Sequence, residues 1–478
     1  MKTFNTIIII VLISISTQAA KPLCKMDISG KWLGTLTINE SLKLRLGFDI
    51  YENDSSQLTS VVHSLDQGAF DIPVKTTALK NDSVFIEIKA LDSFFRGKII
   101  NNKLIEGSFL LGNSTLALKL ARVSDFPIEK VKRPQEPERP YPYDETDINF
   151  KNVESKEVTL AGTLTTPKGE GPFPAVILIS GSGPNDRDAQ IFGHKYFLVL
   201  ADYLTRSGIA VLRTDDRGTN ESTGDYDAAD ILALSSDVVS AFDYLSKHSK
   251  IDARKIGIIG HSHGASIAPV AAVKEKNIAF AILMAGAAES LSENIIEQAE
   301  IIYKQLGVSD KGIALNTKYL NTAFDIVNLN TKFEEAKKQF EVFCRSFEKE
   351  LKSLSEKELN ILELRPPLSS NIIKEFMSPA MKKDLFFQPT DYLNKIHCPT
   401  LIINGSKDVQ VPIRHLKLTE NLIKSNGNVQ VTAKAFKDKN HLFQTAQTGS
   451  VSEYQEIEET ISPEVLSYLS EWILNNIK

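Results

Sequence analysis

Cysteine is scarce in this chain: among 478 residues the sequence has only Cys24, Cys344 and Cys398. Three cysteines cannot form the multiple bridges on which small disulfide-rich secreted domains depend. The chain is also much longer than such domains. We therefore expect its stability to come from large hydrophobic cores.

An excess of charge of either sign is also lacking. The chain has 55 Lys and Arg against 60 Asp and Glu, which gives a net charge of −5 at pH 7. This balance gives no reason to expect binding to nucleic acid or to an anionic membrane. The hydrophobic content of 42% and the charged content of 24% are ordinary for a globular protein. The length suggests two domains.

Only the first twenty residues form a targeting-type apolar segment. Lys2 gives a positive start, residues 7–15 are mainly apolar, and Ala19 and Ala20 offer small residues for cleavage. Because the run is too short to span a bilayer comfortably, we predict a signal peptide over residues 1–20. The mature protein is then periplasmic or extracellular, with no membrane span. The alternatives are a retained anchor or, because of Cys24, a lipoprotein.

Residues 27–124 contain short segments in which every second residue is apolar. Clear examples are residues 44–50, 84–89 and 116–120. This period predicts an antiparallel sheet with one buried face, and we expect a small closed barrel because closure removes exposed edges. The domain is either a ligand- or surface-binding accessory or, as we favour, a structural domain.

A proline-rich segment over residues 125–147 separates this domain from the remainder. Proline at this density favours extended backbone and is excluded from sheet interiors, which indicates a semi-rigid linker. Across residues 148–478, strand-like and helix-like segments alternate, such as the apolar run 210–214 and the amphipathic segment 231–248. This alternation predicts an α/β sheet covered by helices.

The most informative pattern in the chain is Gly260-His261-Ser262-His263-Gly264. A β-branched apolar run precedes it and a stretch of small residues follows it. A strand before and a helix after the serine are the context of a Gly-x-Ser-x-Gly nucleophile elbow. The alternative is a glycine-rich turn with a surface serine.

The order of elements after the elbow predicts the other two members of a catalytic triad. In α/β-hydrolases the acid and then the histidine follow the serine. Asp408 follows the strand-like run 400–404, and His441 lies in the loop after the run 430–435. We predict Ser262 as nucleophile, His441 as general base and Asp408 as the group that orients the imidazole. The alternative for His441 is an ordinary loop histidine.

An acyl-transfer site also needs donors for the oxyanion that forms on the substrate. One expected donor is the backbone N–H of His263, the residue after the serine. The second should come from the glycine-rich loop after the strand-like run 175–179. We predict Ser182 for this role, with Gly183 as the next choice.

Together these motifs resemble those of secreted bacterial α/β-hydrolases of the esterase and serine-aminopeptidase-like type. The resemblance covers roughly residues 150–478, about two-thirds of the chain. Its motifs are the elbow and the segments 181–188, 193–195, 215–218, 405–408 and 440–443. It implies an α/β-hydrolase fold, and residues 30–34 weakly resemble the first strand of lipocalin-like domains. His263 departs from the pattern, which often has Glu or a small residue there.

An insertion of about residues 289–390 lies between the strand-like run 279–285 and Asp408. It is rich in Glu, Lys, Leu and Ile at helical spacing, which predicts a helical cap over the site. In a peptidase, acids of this cap such as Glu289 or Glu293 would have to bind the amine of the substrate. The sequence does not show where these side chains point.

Three functions remain open on the sequence alone. The first is a carboxylesterase that cleaves short to medium acyl esters through an acyl-enzyme. The second is an aminopeptidase-like serine peptidase with the same triad and a short peptide substrate, and the third is an inactive binding protein. We expect no cofactor and no metal, because His261 and His263 lack companion ligands at metal-site spacing. The oligomeric state is not predicted.

Overall fold

The computed structural model of the protein describes residues 27–38, 43–53, 57–67, 69–88, 93–111, 114–127, 131–425 and 427–477. The predicted signal peptide lies outside these ranges. The chain divides into a smaller unit (Met1–Ile38, Arg45–His63, Asp71–Phe126) and a larger one (Asn39–Leu44, Ser64–Phe70, Pro127–Lys478). Within the described ranges, no helix has the length and apolar character that crossing a membrane requires.

The smaller unit is an all-β sheet of nine strands in the order β4-β3-β2-β1-β9-β8-β7-β6-β5. The two ends of the sheet lie close together. The hydroxyls of Ser60 on β3, next to one end strand, and of Thr77 on β5, the other end strand, form a 2.7 Å hydrogen bond. The predicted barrel is therefore confirmed in a nearly closed form. The strands are β1 Gly30–Thr37, β2 Lys43–Glu52, β3 Leu58–Ser64, β4 Ala69–Pro73, β5 Thr76–Lys80, β6 Ser83–Ile88, β7 Ser93–Asn101, β8 Leu104–Leu111 and β9 Ser114–Val123.

Large apolar side chains form the core of this barrel-like unit. Trp32, Phe48 and Phe95 are fully buried. The rings of Phe48 and Phe95 lie 5.3 Å apart, and the indole N–H of Trp32 donates to the carbonyl of Ile28 at 2.8 Å. Alternate residues of β6 are buried, as the two-residue period predicts.

The proline-rich segment is held against the larger unit by the side chain of Arg133. Its guanidinium donates to four backbone carbonyls, those of Phe192, Gly193, Gln455 and Ile457. Five donors in a rigid fork suit arginine to this kind of multiple contact. The first strand of the larger sheet begins at Asp144, within the last residues of this predicted linker.

The larger unit contains an eight-stranded sheet in the order β10-β11-β15-β12-β16-β17-β18-β19. The pairs β10–β11 and β11–β15 are antiparallel, and the remaining pairs are parallel. These strands are β10 Asp144–Lys151, β11 Thr159–Thr166, β12 Phe173–Ile179, β15 Ala210–Thr214, β16 Ile251–His261, β17 Ala281–Met284, β18 Thr400–Gly405 and β19 Val431–Phe436. A short hairpin, β13 Gln190–Ile191 with β14 His194–Lys195, lies apart from this sheet.

Helices cover both faces of this sheet, so its central strands are buried on both sides. On β12, Ile177 contributes to one hydrophobic core, whereas Val176 and Leu178 contribute to the other. This explains the continuous apolar runs in the sequence. The helices outside the insertion are α1 Tyr196–Arg206, α2 Ile231–Ser246, α3 Gly264–Lys274, α11 Arg414–Lys424 and α12 Pro463–Asn476.

The predicted cap is confirmed as a helical insertion between β17 and β18. It has a core of its own that includes the buried Phe324, Phe340 and Phe376. Its helices are α4 Leu291–Gln305, α5 Asp310–Leu329, α6 Phe333–Leu351, α7 Glu356–Ile361, α8 Asn371–Phe376, α9 Pro379–Leu385 and α10 Thr390–Leu393.

Candidate active site

Ser262 lies on a sharp turn between β16 and α3. Its φ is +56°, a left-handed conformation that is strained for a residue with a side chain. Its N–H donates to the carbonyl of Met284 at 2.9 Å, which ties the turn to the neighbouring strand β17. The turn holds the hydroxyl at the carboxyl edge of the sheet, where parallel α/β sheets bind ligands.

The two glycines of the motif are required by close backbone approach. A Cβ on Gly260 would lie 2.1 Å from the carbonyl oxygen of Gly264, and a Cβ on Gly264 would lie 2.2 Å from that of Ile179. Neither backbone oxygen can move without displacing a strand or helix. The structure therefore explains why the elbow needs glycine at both positions.

Asp408 and His441 meet at the same edge of the sheet. Asp408 follows β18, His441 follows β19, and the imidazole Nδ1–H donates to the carboxylate Oδ2 at 2.8 Å. The other oxygen, Oδ1, accepts the N–H groups of Gln410 and Val411 at 2.9 and 2.8 Å. Both side chains of the pair are at most 5% exposed. With Nδ1 protonated, Nε2 carries the lone pair that a general base needs.

His261 supports the backbone of His441 from below the elbow. A carbonyl only accepts, so the His261 Nε2–H donates to the carbonyl of His441, at 2.9 Å. The two rings lie 4.9 Å apart. Burial, followed by the charge of the neighbouring His441, lowers the pKa of His261 to about 3. His261 is therefore neutral near pH 7.

The expected oxyanion donors take up different positions. His263 is the N-cap residue of α3, where backbone N–H groups have no partner inside the helix. Ser182 lines the cavity that contains Ser262. Gly183, with φ +85°, has its N–H directed to the phenol oxygen of Tyr226. Of the two loop residues, Ser182 is thus the stronger candidate.

The loop that carries Ser182 is fixed by Asn185 and Asp216. The Asn185 amide donates to the carbonyl of Gly183 at 2.7 Å, and its backbone N–H donates to Asp216 at 2.9 Å. The Ser180 hydroxyl donates to the same carboxylate. Burial raises the pKa of Asp216 to about 6. These bonds fix the backbone of the loop on both sides of Ser182.

A cavity of about 70 Å³ adjoins Ser262. Residues from the loops and helices around the sheet and residues of the helical cap both line this cavity. Its lining residues are Ser182, Ile231, Ser262, His263, Ser266, Ala287, Glu289, Leu291, Asn294, Asp384, Phe387, Pro389 and Val411.

The two acids suggested by the sequence are already paired. Glu289 lines the cavity, but Arg414 binds its carboxylate through two hydrogen bonds. Glu293 accepts the N–H of Ser290 in a capping box at the start of α4. Neither carboxylate is therefore free to receive a substrate amine.

Glu289 also belongs to a group of three possible metal-binding side chains, with Glu297 and His415. Their ligand atoms already have protein partners. Arg414 bonds both glutamates, and the His415 ring contacts Glu297 at 2.9 Å and accepts the N–H of Ala288. Because a bound guanidinium occupies the carboxylates, this cluster is an ion-pair network that joins α4 to α11.

A third acid, Asp384 of α9, was not singled out by the sequence analysis. Its Oδ1 accepts the N–H of Ile231 at 2.8 Å, and its Oδ2 lies 4.0 Å from Nε2 of His263. Burial raises the pKa of Asp384 to about 6 and lowers that of His263 to about 4. In sequence, Asp384 is one acid within a charged helix, and only the docking of the cap brings it to the cavity.

The strand order and the placement of the three groups after β16, β18 and β19 define an α/β-hydrolase. The family model for X-Pro dipeptidyl-peptidase (S15 family) matches residues 156–434, more than half of the chain. The protein therefore belongs to the S15 peptidase family. The match includes Ser262 and Asp408.

Curated relatives include esterases of two kinds. Esterase EstD of Thermotoga maritima is 27% identical over 302 residues, which are 62% of this chain and 61% of EstD. Acyl-coenzyme A thioesterase 3 of Mus musculus is 23% identical over 178 residues, 37% of this chain and 38% of that protein. The chain thus spans less than two thirds of each of these relatives.

Solved structures of α/β-hydrolases are similar at low identity. The α/β-hydrolase GrgF from Penicillium sp. sh18 is 17% identical, with a TM-score of 0.43, and the match covers 70% of this chain and 98% of that one. The Pyrococcus furiosus esterase PF2001 is 16% identical, with a TM-score of 0.40, over 70% and 91% of the respective chains.

Proposed function

We propose that the protein is a serine carboxylesterase that cleaves short acyl esters through an acyl-enzyme. The observation that carries this proposal is the buried 2.8 Å hydrogen bond between His441 and Asp408, at the same sheet edge as the strained elbow of Ser262. Three groups with these roles form the triad of serine hydrolases. Membership of a hydrolase family and the likeness to EstD support the reading.

In the first half-reaction, the Ser262 hydroxyl attacks the ester carbonyl carbon while its proton passes to Nε2 of His441. The carbonyl oxygen becomes an oxyanion, which the N–H groups of His263 and Ser182 stabilise. The C–O bond to the alcohol then breaks, and His441 returns the proton to the departing alkoxide. In the second half-reaction, water repeats these steps and releases the acid.

A short acyl specificity follows from the cavity. Its volume is about 70 Å³. Apolar contacts come from Leu291, Phe387 and Val411. We therefore place the best substrates among acyl groups of a few carbon atoms.

The second candidate is an aminopeptidase-like serine peptidase that uses the same triad. The family match, whose description names a dipeptidyl-peptidase, favours it. An acid at the cavity wall is also compatible with recognition of an amine. The ester reading is preferred because the curated relatives are esterases and the cavity is small.

Initial rates on a matched panel test these two functions. The panel holds p-nitrophenyl esters from acetate to decanoate together with aminoacyl and prolyl anilides, and Ser262→Ala is the control. We expect turnover of short esters and negligible cleavage of anilides. Cleavage of anilides with a kcat/KM comparable to that on esters would favour the peptidase. No turnover of either substrate class would favour the third function, an inactive binding protein.

We also propose that the protein is exported. The support is the sequence alone: a positive start, an apolar run and small residues before Lys21. Expression of the full chain, followed by N-terminal sequencing of the product, tests this. A mature protein that begins after Ala19 or Ala20 is expected, whereas a chain that retains Met1 in the cytoplasm would contradict it.

A further inference from the structure

The fully buried Tyr454 contacts both loops that carry the predicted acid and base. It follows a single 3₁₀ turn, Val451–Glu453. Its phenol oxygen accepts the side-chain N–H of Gln410 at 3.0 Å, and the backbone N–H of His441 is directed to the same oxygen. Gln410 also donates its backbone N–H to Asp408 at 2.9 Å. One phenol oxygen therefore joins the loop after β18 to the loop after β19.

Backbone hydrogen bonds also join these two loops, but at a point ahead of the pair. The N–H of Lys407 donates to the carbonyl of Lys439 at 2.9 Å, and both residues precede the acid or the base in their loops. A single connection leaves two loops free to rotate about it, whereas two separated connections fix their relative orientation. The phenol of Tyr454 supplies the second connection, beyond Asp408 in one loop and at His441 in the other.

Tyr454 is itself held in place by the short hairpin β13–β14 and its turn. Its ring meets that of Phe192 edge to face, with 5.4 Å between the ring centres. Its main-chain carbonyl accepts the Nε2–H of the buried His194 at 2.9 Å. Burial, followed by the charge of Asp408, raises the pKa of Tyr454, so the phenol is neutral near pH 7. A side chain that is fixed in this way can hold its partners in a defined geometry.

We propose that Tyr454 is a positioning residue that keeps the Asp408–His441 pair in the geometry that proton transfer requires. The inference rests on the proposed serine esterase function. Displacement of a reacting group by about 1 Å can lower a rate about a hundredfold, so a loose pair would be a poor base. Tyr454 is absent from the described residues that line the cavity next to Ser262. It should therefore affect turnover and not the binding of substrate.

The variant Tyr454→Phe tests the role of the phenol oxygen. It removes one atom and leaves two buried N–H groups without this acceptor, which is unfavourable. We expect kcat on p-nitrophenyl acetate to fall at least about tenfold. Because both half-reactions use the same base, KM should change less than about twofold. Tyr468→Phe is the matched control: it removes a phenol oxygen beside the same core, from α12, and should change kcat less than about twofold.

The variant Gln410→Met tests whether the two side chains act as one bridge. Methionine has a similar length but no amide, and the backbone N–H of residue 410 remains for Asp408. We expect kcat to fall at least about fivefold in the otherwise unaltered protein, and less than about twofold when residue 454 is already phenylalanine. Equal factors in the two backgrounds would show that Gln410 and Tyr454 act independently, which would overturn the bridge.

Proton NMR gives a readout that does not depend on turnover. The Nδ1–H of His441, which donates to Asp408, should resonate far downfield of the amide protons, and its loss in His441→Ala assigns the signal. We expect this signal to broaden in Tyr454→Phe, because a looser pair exchanges its proton with water faster. In Tyr468→Phe the signal should be unchanged.

The outcomes separate the positioning role from the proposed function. An unchanged signal in Tyr454→Phe, together with a kcat within about twofold of that of the unaltered protein, would overturn the positioning role alone. An equal loss of kcat in Tyr468→Phe would overturn it as well. A folded, unaltered protein that hydrolyses no ester would overturn the proposed function, and the NMR comparison would then decide separately whether Tyr454 orders the pair.

Discussion

The residues around the proposed triad divide into those with a proposed role in the reaction and those that position them. His261 belongs to the second group, because its ring donates to the carbonyl of His441 and does not face the cavity. Because His261 directly precedes Ser262, one strand end positions both the proposed nucleophile and the proposed base. In the sequence alone, His261 was considered as a metal ligand and that role was rejected, and no local pattern predicted its bond to His441.

The variant His261→Phe should lower kcat about tenfold with little change in KM. Phenylalanine fills the space but cannot donate to the carbonyl of His441, and loss of one hydrogen bond of about 1 kcal/mol lets the imidazole leave its best orientation. His261→Gln, which retains a donor, should recover part of the rate. Steady-state kinetics on one ester measure both variants. Equal kcat for the unaltered protein and for His261→Phe would contradict the positioning role.

Buried histidines also set the response of stability to acid. Burial lowers the pKa of His194 from 6.5 to about 4 and that of His261 to about 3. In the unfolded chain each takes up a proton near pH 6.5, whereas the folded protein does not until lower pH. The free energy of unfolding therefore falls as pH drops below 6.5. Asp216 and Asp384 oppose this, since burial raises the pKa of each to about 6.

Between pH 6.5 and 4, we expect the free energy of unfolding to fall less steeply in His194→Gln than in the unaltered protein. The difference in slope should correspond to about one proton fewer taken up on unfolding. Glutamine fills a similar space and retains a donor for the carbonyl of Tyr454, to which the ring now bonds at 2.9 Å. Urea unfolding at a series of pH values gives the slope for both proteins. Parallel curves for the two proteins would contradict the assignment.

At the scale of elements, the elbow depends on two backbones that nearly touch. Gly264→Ala should abolish activity and lower the midpoint of thermal unfolding, because the new Cβ would lie 2.2 Å from the carbonyl oxygen of Ile179. Gly208→Ala is a matched control: its φ is +93°, but no atom lies within 4 Å of the added carbon. Ester turnover measures the residual activity of the two variants, and thermal unfolding followed by circular dichroism measures their stability.

Gly208→Ala, the control, should lose only about 1 kcal/mol of unfolding free energy because of its strained φ, and it should keep its activity. If Gly264→Ala behaved in the same way, backbone crowding would not be what the elbow requires.

The elements that carry the triad were predictable because their signals are local. Glycine on both sides of Ser262 and apolar runs before Asp408 and His441 reflect sterics and burial within a few residues. The helical cap was predictable from its length and helical spacing. Its contribution to the cavity was not, since Asp384 and Asn294 reach Ser262 only through the packing of helices far apart in sequence.

The same limit explains the prediction about cap acids. A peptidase would need cap acids such as Glu289 or Glu293 to bind the substrate amine, and both carboxylates are paired within the protein. Glu289 is matched by Arg414, which lies 125 positions later in the chain, and no local pattern reveals that pair. Asp384, which lines the cavity, accepts the N–H of Ile231, whereas its neighbour Lys383 bonds Asp230.

At the scale of the whole molecule, each unit has its own core. The barrel-like unit is built around residues such as Trp32 and Phe48, whereas the larger unit contains two cores and the cap. The three triad residues all lie in the larger unit. The chemistry proposed here therefore needs no side chain from the barrel-like unit.

Deletion of residues 21–125 should leave kcat on a short ester within about threefold of the full-length value. The reason is that the proposed triad, the eight-stranded sheet and the lining residues of the cavity all lie after residue 143. The deletion also removes Asn39–Leu44 and Ser64–Phe70, two short segments of the larger unit that contribute to none of these. Circular dichroism and thermal unfolding check that the truncated protein is folded. A folded but inactive remainder would show that the barrel-like unit takes part in catalysis.

The central claim is that Ser262 is the nucleophile, and covalent labelling tests it most directly. The mature protein is treated with a fluorophosphonate, digested and analysed by mass spectrometry, with Ser262→Ala and His441→Ala as controls. We expect one adduct, on the peptide that contains Ser262, no adduct in Ser262→Ala, slow labelling in His441→Ala, and loss of ester turnover in step with labelling. An adduct on another residue, or full turnover by Ser262→Ala, would contradict the account.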